Sequence, residues 1–317
     1  MNKEGSLSIN SENIFPIIKK WLYSDHDIFF RELVSNGCDA VTKLKKLDMI
    51  GEYTIPEGKE LCVKVTADAE TKTITFTDNG IGMDANEIDQ YINQIAFSGA
   101  RDFLDKYKDK TNDDQIIGHF GLGFYSAFMV ADRVTIDSLS YKEGAKAVHW
   151  ESDEGTSFEM TDSAKTEIGT TITLYLNEDS YEFCNEYRAK EILDKYCSFM
   201  PIPIYFEAIK TAEEQARIDE AEKKAKEEEE KRKAEEAAKK AADGEAVEAE
   251  TEAEPVEKAP EAPKPINETT PLWAKHPNEC TDEEYKEFYH RVFHDYKEPL
   301  FWIHLNMDYP FNLKGIL

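Results

Sequence analysis

The chain has 317 residues, 65 of them acidic against 38 basic, for a formal net charge of −27. A surface this acidic repels phosphate backbones, which argues against general nucleic-acid binding. Five cysteines (Cys38, Cys62, Cys184, Cys197, Cys280) form no CxxC pair, an odd set that suits free thiols in a reducing compartment better than a disulfide framework.

The N-terminus lacks a basic-then-apolar leader pattern. No apolar run reaches the roughly 20 residues that cross a bilayer, so the expectation is a soluble cytoplasmic protein without a membrane partner. LSIN at 7–10 has the pattern of a short strand and residues 13–23 have apolar groups at helical spacing. Residues 27–47 form a longer amphipathic pattern. LCVKVTAD and TITFTDNG alternate at period two and predict antiparallel strands, and RVTIDSL, AVHWES, SFEM and TTITLYLN are further strand candidates. Strands gathered with helices around them predict an α+β fold, a two-layer sandwich, over residues 1–210. Residues 211–266 contain no aromatic side chain and carry 19 acidic against 11 basic residues, a net of −8. They begin as a helix-forming Glu/Lys run and continue with the composition of a disordered spacer. A linker over 211–268 and a further segment over 269–317, aromatic again from Pro271, complete the expected organisation.

Four separated segments carry the chemistry. In RELVSNGCDA, Glu32, Asn36 and Asp39 fall at i, i+4 and i+7 and share one helical face. That face is either a solvated polar stripe or a base, Glu32, beside a hard-cation ligand, the Asn36 oxygen. Mg²⁺ takes oxygen ligands together with phosphate oxygens and water, so one protein oxygen suffices. In TDNGIGM, Asp78 ends a strand where it can accept from an exocyclic amine such as adenine's, and two glycines follow where the backbone turns or approaches a ligand. In IGHFGLGFYSAFMVAD, Gly118, Gly121 and Gly123 precede an apolar helix, an arrangement whose backbone N–H groups suit phosphate. No GxxxxGK[ST] exists in the chain. In GTTITLYL, Thr170 opens a strand and offers a hydroxyl.

In this order the four resemble the ATP-binding fold shared by heat shock protein 90, DNA gyrase, MutL and histidine kinases. LYSDHDIFFRELVSNGCDA and IGHFGLGFYSAFMVADRV narrow the resemblance to the heat shock protein 90 family, and it extends through TDEEYKEFYHRVFHDYKEPLFWIH to nearly the whole chain. The resemblance implies a mostly antiparallel eight-stranded sheet backed by helices, with ATP or ADP and Mg²⁺ as ligands. It implies an ATPase chaperone acting on unfolded or partly folded clients, and a homodimer in the full-length protein. Residue by residue it makes Glu32 the general base and Asn36 the Mg²⁺ ligand. Asp78 becomes the adenine reader, with Gly82, Met83 and Thr170 around the base. Gly121, Leu122, Gly123 and Phe124 take the phosphate side, under a lid over about residues 93–123. The chain departs from the family pattern there. Phe97 stands at a usual lysine, Tyr91 where asparagine is common with Asn93 two residues on, and His119 at a frequent glutamine. The family's γ-phosphate arginine and dimerisation domain would lie past Leu317, so the chain reads as a fragment expected to hydrolyse ATP poorly by itself. A gyrase- or MutL-like DNA-transaction ATPase of the same fold is the alternative, and the acidic charge opposes it.

Overall fold

A computed structural model describes residues 25–95, 97, 99, 103, 106, 116–118, 121–212, 215–217, 223–224, 263–307 and 313–317. Helix α1 (Ile28–Met49) opens them and buries Phe29, Phe30, Leu33, Val34, Cys38, Val41, Leu44 and Leu47 along one stripe. Its start is held by Asp27, which accepts two bonds from Arg188 Nη2, at 2.7 and 2.9 Å. Strands β1 (Val63–Asp68) and β2 (Thr73–Asp78) follow, then the short helix α2 (Ala85–Tyr91). A capping box starts α2: the Asp84 side chain accepts from the Glu87 amide and Glu87 accepts from the Asp84 amide. After a seven-residue 3₁₀ helix (Gly123–Met129) come β3 (Ala131–Leu139), β4 (Val148–Asp153), β5 (Glu159–Asp162) and β6 (Gly169–Leu176). Helix α3 (Glu186–Cys197) and β7 (Ile204–Ile209) complete this body.

The described sheet has seven strands in the order β5-β4-β3-β6-β2-β1-β7. Every neighbouring pair is antiparallel except β1 with β7. The α+β sandwich expected from the sequence is therefore present, mostly antiparallel as anticipated. The strand expected at 7–10 and the helix at 13–23 lie outside the described residues. α1, α3, the 3₁₀ helix Gly123–Met129 and another over Glu178–Cys184 cover one face of the sheet, where Phe29, Phe30, Phe76 and Phe183 interlock with ring centroids 4.5–6.3 Å apart. The other face carries the half-buried threonine pairs Thr75–Thr173 and Thr77–Thr171.

The apolar segment after the glycines is a 3₁₀ helix instead of the α-helix that its pattern predicts. Phe124, Tyr125, Ser126, Ala127, Phe128 and Met129 are all buried, so the segment threads the core without a solvent stripe.

The end of the expected linker joins the folded body. Ile266 N–H donates to Ile204 O at 2.8 Å and Glu268 N–H to Ser198 O at 2.7 Å. Asn267 is buried: its Nδ2 donates to Met200 O and Ile202 O at 2.8 and 2.9 Å, and its Oδ1 accepts from Ile204 N–H at 2.8 Å. Downstream, Trp273 and Phe288 pack on Phe199 with centroids 4.7 and 5.7 Å away. Helix α4 (Asp282–Phe293) and the hairpin β8 (His304–Met307) and β9 (Leu313–Ile316) end the chain. Tyr285 stacks on Trp302 and its hydroxyl meets His304 Nδ1 at 2.7 Å. Phe293 and Phe301 are 64% and 71% exposed. Among the described residues no helix is long and apolar enough to cross a membrane.

Candidate functional site

A cavity of about 690 Å³ opens between α1, the 78–83 loop, the glycine segment and β6. α1 supplies the shared face anticipated from its spacing, since Glu32, Asn36 and Asp39 all line it. Asp39 grips the glycine segment, accepting Ile117 N–H on Oδ1 and Gly118 N–H on Oδ2, both at 2.8 Å. The grip brings the segment against the other two. A Cβ on Gly118 would lie 3.6 Å from Asn36 Oδ1, and one on Gly123 2.4 Å from Glu32 Oε2. The Glu32 carboxyl is pushed above the usual carboxylate range by burial, against the pull of Arg31, 3.9 Å away.

At the opposite wall Asp78 ends β2 in register with Thr170 of β6. Its Oδ1 accepts Gly80 N–H at 2.9 Å, and burial pushes its carboxyl up to about 7. The following loop is clamped from both sides, Ile81 N–H donating to Ala40 O and Tyr141 N–H to Ile81 O. Gly82 sits at φ +62°, where a Cβ would fall 1.9 Å from Leu139 O. Only glycine fits such an approach. Asn79 turns away from the cavity and bonds to Cys62 N–H and Glu60 O. Met83 N–H donates to Ser138 Oγ at 2.9 Å, and Ser138 Oγ meets Thr170 Oγ1 at 2.8 Å. Thr170 thus ends a short polar relay at the Asp78 wall.

The third wall comes from the expected lid. Phe97 stacks on Tyr91 with centroids 6.0 Å apart, and both line the cavity with Phe103 and Lys106. Gly121, at φ +64°, lies so close to Phe97 that a Cβ would stand 2.3 Å from its carbonyl oxygen. Gly121, Leu122, Gly123 and Phe124 line the cavity as anticipated. Asn93 is not among the lining residues. Its Oδ1 accepts from Trp150 Nε1 at 2.9 Å and its Nδ2 donates to Asp89 at 3.0 Å, so its amide braces β4 and α2 instead. His119 lies outside the described residues.

The sequence reading missed three contributors. Asp39 was placed on the right face without its role as the clamp. Ser138 interrupts the buried phase of Val134 and Ile136 in β3, and that polar residue in an apolar phase was the available signal. Lys142, at the rim, pairs with Asp84 and Glu87 at 2.7 and 2.9 Å, and no motif marks it.

This sheet order, with a buried carboxylate at a strand end facing a polar helix face and a glycine segment, defines a split nucleotide-binding fold. Residues 28–179 match the family model described as Histidine kinase-, DNA gyrase B-, and HSP90-like ATPase. Residues 182–317 match the model described as Hsp90 protein. The chain is 48% identical over 315 residues to a chaperone protein htpG of Bacteroides fragilis, covering 99% of this chain and 40% of the relative. It is 43% identical over 317 residues to chaperone protein HtpG of Porphyromonas gingivalis, covering 100% and 40%. It is 33% identical over 306 residues to that of Desulfitobacterium hafniense, covering 96% and 41%. The chain belongs to the heat shock protein 90 family. It spans about 40% of the length of the curated relatives it matches.

Proposed function

We propose that the chain is the nucleotide-binding part of an ATP-dependent molecular chaperone that hydrolyses ATP to drive conformational cycling on client proteins. One observation carries the reading: a single cavity gathers Glu32, Asn36, Asp78 and the glycine segment, although up to about 90 residues of chain separate them. ATP or ADP binds with its base at the Asp78 wall. The second carboxylate oxygen of Asp78 accepts from the exocyclic amine, beside Gly82, Met83 and Thr170. The phosphates run toward Gly118, Gly121, Leu122, Gly123 and Phe124, whose backbone N–H groups and small volume suit close approach. Asn36 Oδ1 would hold Mg²⁺, and the built-in room at Gly118 fits that role. When bound, Mg²⁺ supplies positive charge to the phosphate oxygens. Glu32, half-buried and raised toward neutrality, takes the proton from the water that attacks the γ-phosphorus, releasing ADP and phosphate.

The same reading divides the chain into an ATP-binding domain (1–210), a charged linker (211–268) and the start of a middle domain (269–317). It places the protein in the cytoplasm as a homodimer acting on unfolded or partly folded clients, without nucleic-acid partners. The names of the relatives and the acidic charge favour it over a DNA-transaction ATPase. The test is calorimetry of ADP with Mg²⁺ on the parent and on Asp78→Asn. Losing a buried bond to a charged acceptor costs about 1.5–3 kcal/mol, a tenfold to hundredfold weakening. Unchanged affinity would remove Asp78 from the base pocket.

A further inference from the structure

Behind the base pocket, on the opposite face of the sheet, a polar cluster surrounds Lys165. Register places Thr77, Thr171, Asp137 and His149 in one row across β2, β6, β3 and β4. Asp78 and Thr170 are the next pair along the β2–β6 ladder, with side chains on the cavity side. Lys165 Nζ donates to Thr171 Oγ1 at 3.1 Å, and Thr77 Oγ1 meets the same oxygen at 3.4 Å. The segment that carries Lys165 is fixed: Ser163 Oγ donates to Asp137 Oδ1 at 2.6 Å and accepts Lys165 N–H at 3.2 Å. Asp137 is itself held by His149 Nδ1 at 2.9 Å. The ammonium group thus bonds to Thr171, the strand neighbour of Thr170, on the face of the sheet opposite Asp78.

Several titratable groups near Asp78 oppose its charge. Cys38 and Asp39 on α1, and Cys62 before β1, are neutral or acidic, and Glu32 lines the same cavity. Arg31, Lys43, Lys106 and Lys142 also line the cavity; beside the Gly80 N–H bond, Lys165 is the cation whose field lowers the Asp78 carboxyl against its burial. We propose that Lys165 is an electrostatic positioning residue for nucleotide binding, holding Asp78 as the carboxylate that accepts the base amine from behind the sheet. The inference rests on the reading of Asp78 as the base acceptor.

The experiment is a ¹³C-carboxyl NMR titration of the nucleotide-free protein, with the Asp78 signal assigned by its loss in Asp78→Asn. Lys165→Met is expected to raise the Asp78 midpoint by roughly half a pH unit, and Lys165→Arg to restore it. Lys165 is half-exposed on the solvent face, so both variants keep the core intact. An unmoved midpoint in Lys165→Met, or an arginine that fails to restore it, would overturn the proposal. ADP affinity against pH in the same variants separates the two readings. A shifted NMR midpoint that affinity follows supports both; a shifted midpoint that affinity ignores rejects Asp78 as base acceptor and leaves the field of Lys165 intact.

Discussion

Gly123 faces the Glu32 carboxylate across a gap that admits no side chain: a Cβ there would stand 2.4 Å from Oε2 and 3.4 Å from the Glu32 Cβ. The near atom is the end of a side chain that can swing, so Gly123→Ala is expected to fold and to move the carboxylate. A base displaced by about an ångström loses on the order of 10²-fold in rate, while the base pocket at Asp78 is untouched. Turnover measured in a protein extended to the relatives' full length should therefore collapse, with ADP affinity held within a few fold. Parental turnover in Gly123→Ala would show that Glu32 does not need this position.

Glu32→Ala separates the same two functions more sharply. The group contacts attacking water in the proposed mechanism, and a general base contributes about 10²–10⁴-fold. ATP binding by calorimetry should persist and hydrolysis in the extended protein should fall by that factor. A variant that turns over normally would place the base elsewhere.

Asp78 makes both stability and affinity depend on pH, with opposite signs. Burial raises its carboxyl from 3.8 to about 7 in the folded protein. Between those values the folded state keeps a proton that the unfolded chain has released, so its contribution to stability is greatest below about pH 4 and is lost as pH rises through 7. In the proposed binding mode the base amine meets the ionised form, so ADP affinity should rise as pH rises through about 7, and Asp78→Asn should flatten that dependence. Calorimetry from pH 6 to 8 checks it; a parental affinity that is flat across this range would rule out a titrating acceptor.

How much of this was legible depended on whether a residue's partner was local. The α1 face, the strand-end carboxylate and the glycine segment are short motifs, and each formed where its spacing placed it. Asn93 stays off the cavity wall because its amide is claimed by Trp150, 57 residues away, and no local pattern announces that pairing. β7 escaped notice for the same reason. It lies parallel to β1, about 140 residues earlier in the chain, and directly follows the prolines Pro201 and Pro203. Asn267 sits in a stretch whose Pro, Ala and Glu content signals a spacer, and its burial follows only from the backbone groups that the 200–204 turn leaves open.

Met200 connects that turn to the site. Its Sδ lies 3.8 Å from Cys38 Sγ and 4.0 Å from Ser35 Oγ, the residues that flank Asn36 on the buried side of α1. Met200→Ala would leave a void behind the helix, costing about 2–5 kcal/mol, and ADP affinity should weaken as α1 loses its backing. Met200→Leu nearly conserves volume and should cost under about 1.5 kcal/mol with affinity intact. Urea denaturation and calorimetry on both variants test this. Full ADP affinity in folded Met200→Ala would show that the site helix is held without it.

The linker can be shortened without harm to the fold, and its removal should stabilise the protein. The chain leaves the sheet at Ile209, whose carbonyl accepts Ala69 N–H, and returns at Ile266, whose N–H donates to Ile204 O. Departure and return lie at opposite ends of one six-residue strand, a span of about 20 Å that roughly six extended residues can bridge. The intervening chain is many times longer and carries no aromatic side chain. Closing a loop of about 50 residues instead of about 15 costs roughly 1 kcal/mol of chain entropy. Deleting most of 215–255 while keeping residues 263–268 should therefore raise stability by about that amount and leave ADP affinity unchanged. Asn267→Ala in the same background should act in the other direction. It strips partners from Met200 O, Ile202 O and Ile204 N–H together, and a buried group left unsatisfied costs about 1–3 kcal/mol. Hydrogen exchange at the Ile204 amide should accelerate in that variant and not in the deletion. A deletion that weakens ADP binding would mean that the linker itself packs on the nucleotide site, and an Asn267→Ala variant with parental exchange at Ile204 would mean that the return segment is not clipped to β7 by this side chain.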